Sequence, residues 1–305
     1  MLVMPAATRV KPRPRRFGRA HRPRASARGA NPLLWRALIG YPRHAHHVET
    51  PMAAPDFSEL ARAILTTLAT AWRPCQPLLA VAALAALGLA AGGALLFEPT
   101  VAENVVALPM LALTLAVSAG VAGFIVRGDT VYTRLDGVIR QARSYAFVVR
   151  YVLLSAVLSL PLLAVLPAMM GGAGGGAAVV FLGVAGVTLW LSARMAVFPY
   201  SAFLERPLTV AEAFRATDGH ALKILGCIAL FASAILVVVT LATLLVGGLV
   251  SAAGTATGLG GGGATQLALQ GLGQLVAAYA IDCVYGTITR RIAGGPRPYP
   301  DAGTP

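Results

Sequence analysis

Residues 127–176 decide the fold: RGDTVYTRLDGVIRQARSYAFVVR (127–150), YVLLSAVLSLPLLAVLPAMM (151–170) and GGAGGG (171–176). The first segment carries Arg127, Arg134, Arg140, Arg143 and Arg150, and the other two carry no basic residue. The middle segment is 20 residues of nearly unbroken apolar sequence, the length a helix needs to cross a hydrocarbon core about 30 Å thick. An Arg-rich lead-in, a span and an Arg-free turn form one half of a transmembrane hairpin.

The same alternation extends in both directions. Six spans are predicted, at Pro77–Phe97, Asn104–Val126, Tyr151–Met170, Ala177–Val197, Ile224–Val250 and Leu267–Thr289. The hairpin loops 97–103, 171–176 and 251–263 lack Lys and Arg, whereas loop 198–221 carries Arg206 and Arg215, and Arg290, Arg291 and Arg297 follow the last span. Basic residues on one side of every span are the positive-inside pattern, which predicts cytoplasmic N and C termini. Pro109, Pro161 and Pro167 are expected to kink their spans without ending them, because neighbouring helices can re-satisfy the freed carbonyls.

Composition agrees with a bilayer protein. Only 12% of the residues are charged and 57% are hydrophobic, whereas soluble domains carry roughly 25% charge. The net charge of +13 does not point to nucleic acid, because 11 of the 25 Lys and Arg lie in residues 1–55 against a single acid, Glu49. From residue 56 onward the excess is only +3 and follows topology. Residues 1–55 read as a disordered basic tail, residues 56–292 as the transmembrane domain, and 293–305 as a short disordered C-terminal tail. The expected partners are the bilayer itself and, through the basic tail, anionic phospholipids. Met52, just before the patterned region, is an alternative start. His44, His46 and His47 sit among Arg and Pro with no acidic or Cys partner, so no metal and no cofactor is expected. Cys75, Cys227 and Cys283 have no metal-ligand spacing and read as small buried hydrophobes.

Each hairpin has a lead-in of helical periodicity. Phe57, Leu60, Ala61, Ile64, Leu65, Leu68 and Trp72 line one face of the first, opposite Glu59, Arg62 and Arg73. Val131, Leu135, Val138, Ile139, Ala142, Ala146 and Val149 line the second, and the third runs from Thr209 to about Thr217, with Gly219 as its stop. Asp56-x-x-Glu59, Thr133-x-x-Asp136 and Thr209-x-x-Glu212 match the capping-box pattern, at intervals of 77 and 76 residues. A basic residue, Arg62, Arg140 or Arg215, follows each acid at pairing distance. The expectation is an all-α membrane protein of six transmembrane helices in three hairpins, each preceded by an amphipathic interfacial helix, as a threefold repeat.

SARMAVFPYSAFLERPLTVAEAFRATDGHALKILGCIAL (192–230) carries a family resemblance. Arg194, Pro199, Glu205, the run Glu212-Ala213-Phe214-Arg215, Thr217 and Gly219, with Tyr285 and Arg290-Arg291 after the last span, resemble the glycerophosphodiester phosphodiesterase membrane-domain family and its YciC-type relatives. These are uncharacterised six-span bacterial inner-membrane proteins. Gly286 and Thr287 stand where that family usually has an acid after the Tyr. The resemblance implies a bacterial inner-membrane location and phospholipid-related biology. It does not carry over hydrolysis, because no segment supplies the soluble phosphodiesterase barrel to which some relatives are fused.

Ionisable residues inside spans are candidate functional residues by default. Arg194 and Asp282 lie toward the cytoplasmic ends of the fourth and sixth spans, where they could pair or where Arg194 could snorkel to the interface. Gln270, Gln274, Asp282 and Tyr285 share a sector of roughly 120° of the sixth span, either as interhelical packing or as the lining of a solute path. His220 and Asp218 could form an acid–base pair, but they have no nucleophile beside them. No triad, phosphate loop or paired-carboxylate arrangement is present, so an enzyme is not expected. The reading is a non-enzymatic inner-membrane protein in envelope or lipid homeostasis, or a membrane scaffold. The alternative is a transporter or permease component with a polar path beside the sixth span.

Overall fold

A computed structural model describes residues 56–170, 175–257 and 262–294. Helices of spanning length and apolarity form all three hairpins, and no strand occurs among the described residues. The chain is an all-α, multi-pass membrane protein. Both tails, residues 171–174 of the first Gly-rich loop and residues 258–261 of the second lie outside the described residues.

The helices are α1 (Phe57–Leu96), α2 (Pro99–Arg127), α3 (Leu135–Arg140), α4 (Ala142–Met170), α5 (Gly175–Met195), α6 (Val197–Tyr200), α7 (Val210–Ala216), α8 (Ala221–Thr257) and α9 (Gly262–Ala293). The hairpins are α1–α2, α4–α5 and α8–α9. Helix α9 is central and packs against α1, α2 and α8. The middle hairpin meets the rest through α4 on α2 and α5 on α8.

The lead-ins depart from three separate interfacial helices. The first continues directly into its span, making α1 40 residues long and about 60 Å from end to end. Pro74 and Pro77 lie inside it without breaking it. Packing against α9 holds the helix through this region: Trp72 meets the Tyr279 ring edge-on, and the Tyr279 hydroxyl donates to the Leu68 carbonyl at 2.7 Å. Part of the apolar face of the lead-in is buried against protein, with Leu60 and Ile64 in a cluster with Ile224, Cys227, Val284 and Ile288, while Phe57, Leu65 and Trp72 are exposed. The second lead-in is broken into a 3-10 turn (Thr130–Thr133), α3, and the start of α4, with Gln141 extended between them. Only the third forms a short helix of its own, α7, followed by Gly219 at φ 71°.

The three capping signatures share the pattern but not the geometry. Thr209 and Glu212 form the complete box: Glu212 N–H donates to Thr209 Oγ1 at 3.2 Å, and Thr209 N–H donates to Glu212 Oε2 at 2.8 Å. Asp56 caps α1 by accepting from Phe57 N–H at 2.7 Å. Thr133 does not cap: its hydroxyl donates to the Thr130 carbonyl, and Asp129 caps this region instead by accepting from Val131 N–H at 3.0 Å. The expected acid–base partners also change. Glu212 pairs with Arg206 at 2.6 Å and Asp136 with Arg134 at 3.9 Å, rather than with Arg215 and Arg140.

Packing density changes along the membrane normal. At the arginine-rich end, α2 is buried without interruption from 117 to 126, and α9 is buried over most of 278–289. Toward the opposite end, α2 buries only Ala102, Val106 and Met110, while α1 buries Ala82, Ala86 and Ala90 along a single stripe. Leu160, Leu163, Leu182, Leu236 and Leu244 of α4, α5 and α8 are exposed there. Lipid tails are as apolar as Leu, so apolarity alone does not drive helices together inside the bilayer. Close approach of small residues and interhelical hydrogen bonds do; the interhelical side-chain bonds concentrate at the arginine-rich end, and at the opposite end close approach persists between α1, α2 and α9 at Gly93 and Gly271.

Candidate functional site

Two glycines of α2 allow the close-packed end to form. A Cβ at Gly120 would lie 2.8 Å from the Tyr132 carbonyl oxygen, and one at Gly123 would lie 2.7 Å from Tyr132 Cγ. Tyr132 therefore seats on α2 and meets Phe203 edge-on at 5.3 Å. Burial pushes the Tyr132 phenol above its ordinary pKa. Phe203 ends the short 3-10 turn Ser201–Phe203, which follows α6 directly. This 197–203 segment folds back against the bundle and carries the residues that organise the site.

Asp282 of α9 is 1% exposed, and its Oδ1 accepts a 2.7 Å hydrogen bond from the Tyr200 hydroxyl. Its Oδ2 has no hydrogen-bond partner. The Tyr200 ring is held between Tyr285, stacked at 5.5 Å with planes 13° apart, and Phe147, edge-on at 5.2 Å. One buried hydrogen bond thus ties the last span to the α6 turn, and aromatic packing fixes its donor.

Three arginines hold the same segment from the other side. Arg150 of α4 is 2% exposed. Its Nη1 lies 2.9 Å from Ser201 Oγ, 3.2 Å from the Leu208 carbonyl and 3.4 Å from the Phe198 carbonyl, and its guanidinium lies over the Phe198 ring. Arg127 and Arg143 both donate to the Phe203 carbonyl, at 3.2 and 3.3 Å. Charge-assisted bonds of this kind are roughly twice as strong as neutral ones, so this short helical segment is held firmly at the membrane boundary.

Arg194 does not pair with Asp282. Its Nη1 lies 3.0 Å from Asp218 Oδ1, and its guanidinium sits 4.0 Å above the Phe214 ring. The Thr217 hydroxyl donates to the Arg194 carbonyl at 2.8 Å, bringing the end of α7 onto the end of α5. Segment 197–203 sends Tyr200 to Asp282, while the α7 turn presents Asp218 to Arg194. Asp218 is engaged by Arg194, and among the described residues His220, a conceivable acid–base partner on sequence grounds, makes no ion pair with it.

The polar stripe of the last span also divides. Asp282 is buried and Tyr285 is half-buried, but Gln270 and Gln274 are exposed. The four share a helical sector at different depths, and the neighbouring helices close over it only at the arginine-rich end. Among the described residues no cluster of His, Cys, Asp and Glu is suited to a metal. The His44, His46 and His47 group lies outside them.

Tyr200, Arg150, Arg127 and Arg143 carry this site and were not singled out from sequence. The signal for Arg150 was present, since it stands in a helical run with Phe147 on the same face. Positive-inside topology already accounted for every arginine in that loop, which hid the one that is buried.

No family model, curated protein or solved structure matches the chain. What can be said of function therefore rests on the site and on the motif resemblance alone.

Proposed function

We propose that this is a non-enzymatic protein of a bacterial inner membrane, with cytoplasmic termini, that serves as a scaffold in envelope or lipid homeostasis. The observation that carries this reading is the engagement of Asp282 by Tyr200 inside the closed end of the bundle. The charged groups of the spans have internal tasks: Asp282 anchors α9 to the α6 turn, Arg150 braces that turn, and Arg194 joins α5 to the α7 turn. Buried Leu275, Ala278 and Tyr279 stand between exposed Gln274 and Asp282, which favours a brace over a path. The resemblance to the glycerophosphodiester phosphodiesterase membrane-domain family supports a lipid context.

The second reading, a transporter or permease component, draws on Gln270 and Gln274, whose exposed side chains on a membrane span call for a polar neighbour. Purification from native membranes, followed by mass spectrometry of co-purifying lipids and proteins, separates the two. For a scaffold, the same protein partners accompany wild type, Asp282→Asn and Gln274→Leu. A solute or lipid that accompanies wild type and is lost in both variants would instead support a path beside α9.

A further inference from the structure

We infer that Arg127 and Arg143 form a binding site for the phosphate headgroup of an anionic glycerophospholipid. This inference does not depend on the scaffold reading and stands on a separate set of contacts. The two guanidinium groups come from different spans, the last residue of α2 and the first turn of α4. Both direct Nη1 at the Phe203 carbonyl oxygen, at 3.2 and 3.3 Å, so two like charges are held side by side by one neutral acceptor. Among the described residues neither makes an ion pair within 4.0 Å. The nearest acid in sequence, Asp129, turns its carboxylate to the Val131 N–H.

Each guanidinium offers five N–H donors in a planar fork, and the shared carbonyl engages only Nη1 of each. Both side chains are half-buried, which limits their hydration and their freedom to move apart. Adjacent, pre-oriented forks lacking a counter-ion suit a group with several negatively charged oxygens, and phosphate is the chemistry that Arg pairs match in this way. The membrane supplies that group at the right depth, because both residues lie at span ends, where headgroups sit. Farther down α4, Leu153 and Val157 lie within about a quarter-turn of Arg143 around the helix and form an exposed apolar face. That face can receive the acyl chains of a lipid whose phosphate rests on the two arginines. The arginine-rich end is also the side on which positive-inside topology places the anionic cytoplasmic leaflet.

The test uses the full-length protein in detergent and native mass spectrometry, titrating phosphatidylglycerol and, separately, phosphatidylcholine of the same chain length. Wild type should bind phosphatidylglycerol about 10-fold more tightly than Arg127→Gln/Arg143→Gln, a loss on the scale of one charge-assisted bond. Phosphatidylcholine binding should be equal in both. Arg62→Gln/Arg73→Gln removes the same charge from exposed positions on α1 and should bind phosphatidylglycerol as wild type does. Arg143→Gln alone leaves Arg127 on the Phe203 carbonyl and should show a smaller loss in the same direction, so the test survives if the double variant does not fold. Millimolar inorganic phosphate should leave the lipid bound. Equal phosphatidylglycerol affinity in wild type, the single and the double variant would overturn the inference. So would an equal loss in the α1 control, or displacement of the lipid by inorganic phosphate.

Discussion

Tyr200→Phe is the most informative single change, because it deletes one oxygen and leaves the surrounding aromatic packing in place. That oxygen donates to Asp282 at 2.7 Å in a site where the carboxyl is 1% exposed. A buried polar group deprived of its partner costs about 1–3 kcal/mol. Side-chain hydrogen bonds measured within membranes average about 0.6 kcal/mol and reach about 1.7. The lower figure applies where the separated groups find other partners, but here protein encloses the carboxyl and its second oxygen already lacks one. The expected loss is therefore about 1.5 kcal/mol. Asp282→Leu should cost a similar amount by orphaning the Tyr200 hydroxyl. The double variant, with neither group polar, should be more stable than additivity of the singles requires, again by about 1.5 kcal/mol. Reversible unfolding in mixed micelles, followed by the fluorescence of Trp72 and Trp190, gives all four corners of the cycle. Trp72 meets Tyr279 and Trp190 meets Phe214, so both report on helix contacts. Tyr285→Phe keeps the stacked ring and should change stability by less than about 0.5 kcal/mol. Additive single effects, with a coupling below about 0.5 kcal/mol, would refute the claim that this bond ties α9 to the α6 turn.

Five further outcomes are expected. Thr209→Ala should loosen α7 by about 1 kcal/mol, seen as faster amide exchange over 210–216. The Thr209 backbone N–H, the Thr209 hydroxyl and Arg206 together hold the Glu212 carboxyl below its ordinary value of 4.5. The stabilisation from Glu212 is thus present above pH 4.5 and fades as pH falls below it, so the protection factors of the α7 amides, corrected for intrinsic exchange at each pH, should fall on acidification in wild type and stay flat in Glu212→Gln. Gly120→Ala and Gly123→Ala should each destabilise by about 1–3 kcal/mol through overpacking, whereas Gly183→Ala and Gly186→Ala, where a Cβ meets open space, should be neutral or slightly stabilising. Cys75, Cys227 and Cys283 are fully buried, so a maleimide should leave them unmodified in the folded protein and label all three after denaturation; labelling without denaturant would contradict the packing. For topology, an alkaline phosphatase fused after Phe97 should be active and one fused after Gly128 inactive, and the reverse pattern would invert the orientation.

What sequence could disclose was hydropathy, end signals and sidedness. The six spans were legible because each is a long apolar run, and Gly219 and the Thr209–Glu212 box were legible because local chemistry alone determines them. Continuity of α1 through Pro74 and Pro77 was not, because a proline ends a helix or is tolerated according to whether a distant partner, here Tyr279 with Leu68, steadies the chain. The second capping pattern failed because Thr133 ends a 3-10 turn, where its hydroxyl donates to the Thr130 carbonyl, and the helix that follows starts one residue later, after Arg134. Arg194 and Asp282 stood at matching depths, but depth does not specify rotation, and each found a different partner, Asp218 of the α7 turn for Arg194 and Tyr200 of the 197–203 segment for Asp282. Gln270, Gln274, Asp282 and Tyr285 lie on one continuous helix, α9. What surrounds it at each level depends on the neighbouring helices.

Because α4, α5 and α8 part from the bundle away from the arginine-rich end, random substitution would be felt unevenly across the protein. Near 117–126 and 278–289 a single added methyl group meets a neighbour within contact distance, as Gly286 against Ile125 shows at 2.9 Å, so few replacements fit. In the far halves of α4, α5 and α8, replacing one aliphatic side chain with another removes little packing, and overall hydrophobicity is the main requirement. A saturation library would thus divide into two alphabets, nearly fixed residues at one end and freely exchangeable Leu, Val, Ile and Ala at the other. The boundary between them would trace, without any structural probe, the depth at which the helices part.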